Sequence, residues 1–335
     1  MEYRILGKTG MKISRMGFGG IPIQRIDAEG TKTLIHELKE AGVNFIDTAR
    51  GYTVSEEYLG YALEGIREDF VIATKSMSRT KEAMAADIDI SLKNLRTDYI
   101  DLYQMHNITP EQLETAMAPG GALEAMLEAK AAGKIRHIGL TAHSLDTFRM
   151  ALDLQWVETF MFPYNIVETQ AEELIAKAAE KNIGFICMKP LAGGAIEEAT
   201  LALRYVCANP NISVVIPGMA EPKELTQNLA AASDTSALTA EEQAGFQRIR
   251  TQLGTQFCRR CNYCQPCSVG ISISSAFLFD GYLQRYGLAD WAKKRYAGME
   301  KKASECIGCG ACEQRCPYQL PIRKMLAKVA EHFGT

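Results

Sequence analysis

The sequence predicts an α/β protein: a (β/α)8 TIM barrel followed by a smaller, cysteine-rich helical domain. Three observations carry this. Between residues 14 and 232, strand-like and helix-like segments alternate about eight times, the number that closes such a barrel. The strand segments are apolar nearly throughout, as expected where helices cover both faces of a parallel sheet. Of the ten cysteines, eight fall between Cys258 and Cys316, beyond the last repeat.

Residues 3 to 13, YRILGKTGMKI, read as a hairpin turning at Gly7 to Gly10. Ser14 to Gly19 is the first barrel strand and Glu29 to Ala41 the first helix. Asn44 to Thr48 with Ser55 to Glu64, Phe70 to Lys75 with Lys81 to Leu95, and Tyr99 to His106 with Gly121 to Ala132 follow. The fifth and sixth pairs are Ile135 to Ala142 with Leu145 to Leu154, and Val157 to Tyr164 with Ala171 to Lys181. Gly184 to Lys189 with Glu197 to Cys207, and Ser213 to Pro217 with Pro222 to Ala232, complete the series. Ala-Gly at 41 to 42 and 132 to 133, and Lys-Asn at 181 to 182, supply left-handed helix stops. One more amphipathic helix, Leu238 to Leu253, opens on a Thr239 to Glu242 segment similar to a capping box. The composition changes after it, which places a domain boundary near Gly254: a barrel over 1–253 and a second domain over 254–335.

Consecutive strands end in residues that carry chemistry. Phe45-Ile46 ends in Asp47 and runs into a loop carrying Tyr52; the next strand ends at Lys75 and the one after at His106. Active sites in this architecture lie at the carboxyl ends of the strands. A tyrosine hydroxyl, of pKa about 10, becomes a useful acid near neutrality when a cation stabilises its phenolate. Lys75 supplies the cation, Asp47 keeps that lysine protonated in a desolvated pocket, and His106 orients the oxygen that Tyr52 protonates.

In these residues the chain resembles the aldo-keto reductases. The matching pieces are FIDTA with Asp47, GY with Tyr52 followed by Ser55-Glu56 and Leu59-Gly60, ATK with Lys75, and YQMHN with His106. Weaker matches are GLTAHS (139 to 144), PYN (163 to 165), KPLAGG (189 to 194) and IPG (216 to 218), in family order as far as Asn228. The resemblance implies NADPH or NADH across the barrel mouth, with its nicotinamide beside Tyr52. It implies Thr141 and Asn165 near the carboxamide, Leu191, Gly193 and Gly194 near the pyrophosphate, and Asn228 near the adenine. The chain departs from the family at Met161, at Met188 where an aromatic usually stacks on the nicotinamide, and after IPG. There Gly218, Met219 and Glu224 stand where Lys or Arg usually meets the adenosine 2'-phosphate, and Lys223 is the one nearby cation. His143, just past the fifth strand, faces the mouth and is a further candidate for contact with substrate or cofactor.

Cys306, Cys309, Cys312 and Cys316 with Pro317 give C-x2-C-x2-C-x3-C-P, the run with which bacterial ferredoxins hold [4Fe-4S] clusters. Cys258, Cys261, Cys264 and Cys267 form a second run, one residue shorter before its last cysteine. In two-cluster ferredoxins the fourth cysteine of each run crosses to the other cluster. The resemblance therefore implies two clusters, one on Cys258, Cys261, Cys264 and Cys316, the other on Cys306, Cys309, Cys312 and Cys267. Ser274 to Ser304, between the runs, reads as helical with Phe277, Leu278, Tyr282, Tyr286 and Trp291 on an apolar face, which is similar to the α-helical ferredoxins. Cys187 and Cys207 read as small core side chains.

The 335 residues carry a net charge of -3, 47% hydrophobic and 23% charged residues. This gives no basic footprint for nucleic acid, and no stretch approaches a membrane span. The first residues lack an apolar signal core, and cysteines crowded in this manner read as metal ligands in a reducing compartment. The expectation is a cytoplasmic NAD(P)H-dependent reductase of a small carbonyl substrate. An electron-transfer protein passing electrons through its clusters to a ferredoxin-like or flavin partner is the second reading.

Overall fold

The computed structural model describes residues 1–335, which form two compact units: Met1–Pro190 with Glu198–Thr239, and Leu191–Glu197 with Ala240–Thr335. By packing, the helix Ala240–Leu253 groups with the second unit.

The first unit opens on an antiparallel hairpin, β1 (Tyr3–Ile5) and β2 (Lys12–Ser14), turned by a 3-10 segment over Gly7–Thr9. Gly7 has φ +52°, and a Cβ there would lie 2.1 Å from the Gly184 nitrogen. Only glycine lets this turn pack against the start of the Gly184 strand.

Eight parallel strands follow: β3 (Phe18–Gly19), β4 (Phe45–Asp47), β5 (Val71–Ser76), β6 (Ile100–Met105), β7 (Ile135–Thr141), β8 (Thr159–Pro163), β9 (Gly184–Met188) and β10 (Val214–Ile216). They pair in sequence order, and the bridges Met16↔Val215 and Gly19↔Gly218 join the last strand to the first. The sheet is therefore a closed barrel. Helices α1 (Ala28–Glu40), α2 (Ser55–Ala62) and α3 (Lys81–Asn94) follow β3, β4 and β5; α4 (Pro110–Met117) and α5 (Ala122–Ala131) follow β6. Next come α6 (Leu145–Ala151), α7 (Glu172–Glu180), α8 (Ala199–Cys207) and α9 (Pro222–Ser233), one after each remaining strand.

Every strand-helix pair read from the sequence is present, and α4 is an addition. It is nucleated by a capping box in which Thr109 accepts from the Gln112 amide, the Gln112 side chain returns to Thr109, and Pro110 occupies the first turn.

Leu6 and Ile13 of the hairpin join Phe45, Ala73, Leu102, Met161, Ile186, Val214 and Ile216 in one buried apolar cluster. The hairpin turn lies against the amino end of β9, where Lys8 N donates to Asn182 O at 2.7 Å. Apolar filling at this end leaves the carboxyl ends of the strands for polar side chains.

The second unit holds α10 (Ala240–Leu253), α11 (Ile273–Gln284), α12 (Ala289–Ala297), α13 (Ala311–Arg315) and α14 (Ile322–Phe333). The segment read as one helical stretch over 274 to 304 breaks after Gln284, with Gly287 at φ +66°. The break lets α12 double back on α11, and Trp291 stacks on Tyr282 with centroids 4.5 Å apart. Ile273, Phe277, Tyr296, Ile322, Leu326 and Val329 form the centre of this unit's own core. No helix in the chain is long and apolar enough to cross a membrane.

Candidate active site

Asp47 is the last residue of β4 and Lys75 the fifth of β5; the two are 3% and 2% exposed. Lys75 Nζ donates to Asp47 Oδ2 at 2.6 Å and to Thr48 O at 2.8 Å. Burial pushes the Asp47 carboxyl up and the Lys75 ammonium down, and the contact between them opposes both shifts. Gln104 on β6 backs the pair, its Nε2 lying 3.5 Å from Asp47 Oδ1.

Tyr52 stands in the loop after β4, its ring centroid 5.0 Å from Lys75 Nζ. Its ring also meets that of His106 edge-on, with centroids 6.0 Å apart at 85°. The four residues read from the sequence thus converge at the carboxyl ends of β4, β5 and β6.

The loops that hold them are tied down by residues the sequence reading did not single out. Glu56, 1% exposed, accepts from Thr74 and Ser91 at 2.8 Å each and from Arg50 at 2.6 Å. This fixes the turn between Asp47 and α2 against β5. Arg79 donates to the His106 carbonyl at 2.7 Å, while the His106 amide donates to Ser76 O at 2.8 Å. Glu56 had a signal in the Ser-Glu pair of the family motif; Arg79 had none.

The expected nucleotide-side residues are placed as follows. Thr141 ends β7, buried, its Oγ1 accepting from the Asn107 amide at 2.7 Å. Asn165 is fully buried and its amide is engaged by the chain: Nδ2 donates to Glu168 Oε2 at 2.8 Å and Lys189 O at 3.0 Å, and Oδ1 accepts the amides of Val167 and Glu168. Met188 ends β9, half-buried against the barrel's apolar cluster.

Gly218 lies just past β10 and is exposed, Lys223 is exposed on the first turn of α9, and Asn228 is buried farther along that helix. His143 Nδ1 lies 2.9 Å from Asn107 Oδ1 and its Nε2 3.2 Å from Lys189 Nζ.

Leu191, Gly193 and Gly194 belong to the second unit by packing. Gly193 and Gly194 take φ +64° and +76°, Gly193 O accepts from Arg285 Nε at 3.0 Å, and a Cβ on Gly193 would come 3.0 Å from the Tyr286 hydroxyl. The left-handed backbone at both positions accounts for glycine here.

Also in the second unit, two hollows are each lined by four cysteines. One is lined by Cys258, Cys261, Cys264 and Cys316, the other by Cys306, Cys309, Cys312 and Cys267, and Ile273 lines both. The fourth cysteine of each run crosses to the other hollow. The ten cysteines form no disulfide.

Arg259 lines the first hollow and Arg315 and Arg323 the second, placing cations where ligated thiolates would concentrate negative charge. Burial pushes the Cys264 thiol up to about 12, so it stays protonated until a metal ion displaces the proton. A set of four thiols at the edge of an apolar core fits a [4Fe-4S] cluster.

A closed barrel with Asp, Tyr, Lys and His at consecutive strand ends, joined to a unit with paired four-cysteine hollows, defines an oxidoreductase with an iron-sulfur domain. The chain belongs to the aldo/keto reductase family. That family's profile matches residues 15–200, and the profile of a 4Fe-4S dicluster domain matches residues 257–321.

Among its relatives, L-galactose dehydrogenase of Arabidopsis thaliana is 28% identical over 298 residues, covering 72% of this chain and 92% of the relative. Aldo-keto reductase YhdN of Bacillus subtilis is 35% identical over 232 residues, covering 60% of this chain and 66% of the relative. Aldo-keto reductase AKR11C1 from Bacillus halodurans, in its holo form, superposes with a TM-score of 0.65 at 26% identity, covering 74% of this chain and 96% of that one.

Proposed function

We propose that this protein reduces an aldehyde or ketone to the alcohol with NAD(P)H, and that Tyr52 is the general acid. The observation that carries the proposal is Lys75, gripped by Asp47 at 2.6 Å with its Nζ 5.0 Å from the Tyr52 ring. When bound, reduced nicotinamide supplies a hydride to the carbonyl carbon.

Tyr52 gives its phenolic proton to the carbonyl oxygen, and Lys75 stabilises the phenolate left behind. His106, across the tyrosine ring, holds the oxygen in line for that proton. Asp47 stays ionised and keeps Lys75 charged. The barrel's walls at Thr141, Met188, Gly218, Lys223 and Asn228 form the nucleotide side of the site in this proposal. Asn165 acts there by shaping the turn to Glu168, since its own amide is engaged.

Each cysteine hollow takes one [4Fe-4S] cluster, with Cys258, Cys261, Cys264 and Cys316 on one and Cys306, Cys309, Cys312 and Cys267 on the other. The functional division is a reductase barrel over 1–253 and a ferredoxin-like domain over 254–335. Ten cysteines without a disulfide suit a reducing compartment, and we place the protein in the cytoplasm.

Paired hollows sharing Ile273 favour one further reading, in which the clusters pass single electrons to a ferredoxin-like or flavin partner. Hydride transfer moves two electrons together, so that route needs a partner able to split the pair.

Tyr52→Phe tests the main proposal. Carbonyl reduction should fall by about 10²- to 10⁴-fold while NAD(P)H still quenches or shifts its fluorescence on binding. Normal turnover in the Phe variant would remove Tyr52 from the mechanism. Anaerobic addition of NADH and NADPH without a carbonyl tests the second reading, because bleaching of cluster absorbance is expected only if the clusters belong to the electron path.

A further inference from the structure

The loops after the seventh and eighth strands of a (β/α)8 barrel, with the helix start beyond them, are a recurrent phosphate site. In this chain those strands are β9 and β10, and the helix start is the first turn of α9. NADH and NADPH differ only in a 2'-phosphate on the adenosine, so the groups at this helix start bear on which nucleotide fits.

The groups are already taken. Glu224, in the first turn of α9, accepts from the Ala220 amide at 2.7 Å and the Glu221 amide at 3.1 Å through Oε2. Arg25 Nη2 lies 3.1 Å from its Oε1 and 3.2 Å from its Oε2. Glu221 is the N-cap of the same helix, so two carboxylates stand there. Lys223 is the remaining cation.

From these contacts we propose that the protein selects NADH over NADPH, with Glu224 as the residue that excludes the 2'-phosphate. The proposal rests on the NAD(P)H-dependent reading above.

A 2'-phosphate carries close to two negative charges and wants paired cations and free amides. To find them here it would have to displace Glu224 from two N–H groups and from Arg25, then sit beside two carboxylates. The Arg25 pair is partly solvated, with side chains 27% and 36% exposed, and such a pair is weak alone. The two amide bonds are what fix the carboxylate in place. A ribose 2'-hydroxyl has the opposite requirement: it donates to a carboxylate, as acidic residues do for NAD in other dinucleotide folds. Arg25 in this arrangement is a counter-ion to Glu224 rather than a phosphate ligand.

The test is equilibrium binding of NADH and of NADPH to the cluster-loaded protein under anaerobic conditions, read by nucleotide fluorescence. It is applied to the natural chain, Glu224→Gln and Arg25→Ala. The natural chain should bind NADH at least about tenfold more tightly, a difference of about 1.4 kcal/mol. Glu224→Gln should shrink the preference by about tenfold or more, because Gln keeps an acceptor for the amides and removes the charge. Arg25→Ala should widen it, because the carboxylate loses its counter-ion. A natural chain that binds NADPH as well as NADH, or a preference unmoved by Glu224→Gln, would overturn the selection. A loss of preference in Arg25→Ala would overturn it too. Failure of both nucleotides to bind would instead overturn the NAD(P)H-dependent reading on which it stands.

Discussion

Lys75 Nζ and Asp47 Oδ2 meet at 2.6 Å in a pocket that almost excludes solvent. Neither charge is affordable there alone. Removing one partner of a buried pair leaves the other uncompensated, which typically destabilises by about 3–5 kcal/mol. Lys75→Met should therefore lower the unfolding free energy by that order in a denaturant titration, besides abolishing turnover. The double variant Asp47→Asn with Lys75→Met should recover much of the stability and none of the activity. If the double variant were as unstable as the sum of both single ones, the pair would not be coupled as described.

Arg79 holds the His106 carbonyl at 2.7 Å and also lies 3.5 Å from the Ser76 carbonyl beside Lys75, touching no reacting group itself. It is a positioning residue. Small displacements of a catalytic group are costly, on the order of 10²-fold for about 1 Å. Arg79→Ala should lower kcat by about 10- to 100-fold with nucleotide affinity unchanged, and Arg79→Lys should restore part of it. A variant with normal kcat, or one that loses nucleotide affinity in step with kcat, would show that Arg79 does not act through His106.

Most of the barrel was legible because period and polarity are local properties: β8, β9 and β10 are nearly continuous apolar runs, and α3 and α6 open on side-chain caps at Thr80 and Ser144. Asp47, Tyr52, Lys75 and His106 were legible because strand ends converge in a barrel by construction. Arg79 was not, since a surface-like arginine in a loop gives no sign of folding back onto the His106 carbonyl. The hydrogen bonds that tie Asn165 to Val167, Glu168 and Lys189 depend on a turn the sequence does not display. Helix α4 carried its sign in Thr109-Pro110-Glu111-Gln112, a capping box that the apolar periodicity did not draw attention to. The break at Gly287 between α11 and α12 was hidden by the apolar residues on either side.

The crossing of Cys267 and Cys316 between hollows separates two ways of losing a cluster. If each hollow takes one cubane, Cys316→Ser should disturb the cluster shared with Cys258, Cys261 and Cys264 and leave the other intact. Cys267→Ser should do the reverse. Iron should fall from about eight to about four per chain in a variant that fails to hold one cluster. The two variants should also leave different residual EPR signals on reduction. Identical residual signals would mean that the cysteines do not divide between clusters in the manner of the two hollows.

Glu158 offers a test of the barrel's acid stability away from the site. Burial alone would push its carboxyl up, but hydrogen bonds from His137, Lys130 and the Ile138 amide outweigh it and hold the group down to about 2. An unfolded glutamate titrates near 4.3. The folded form is thus the weaker proton binder, and its contribution is complete above the unfolded value and lost as pH falls from about 4 towards 2. With solvent screening discounted, that contribution is about 1 kcal/mol. Glu158→Gln should be less stable than the natural chain at pH 7, and the gap should narrow as pH falls to 3 in denaturant titrations followed by near-UV circular dichroism. A gap of constant size across that range would mean that the carboxylate's charge contributes nothing to holding β7 and β8 together.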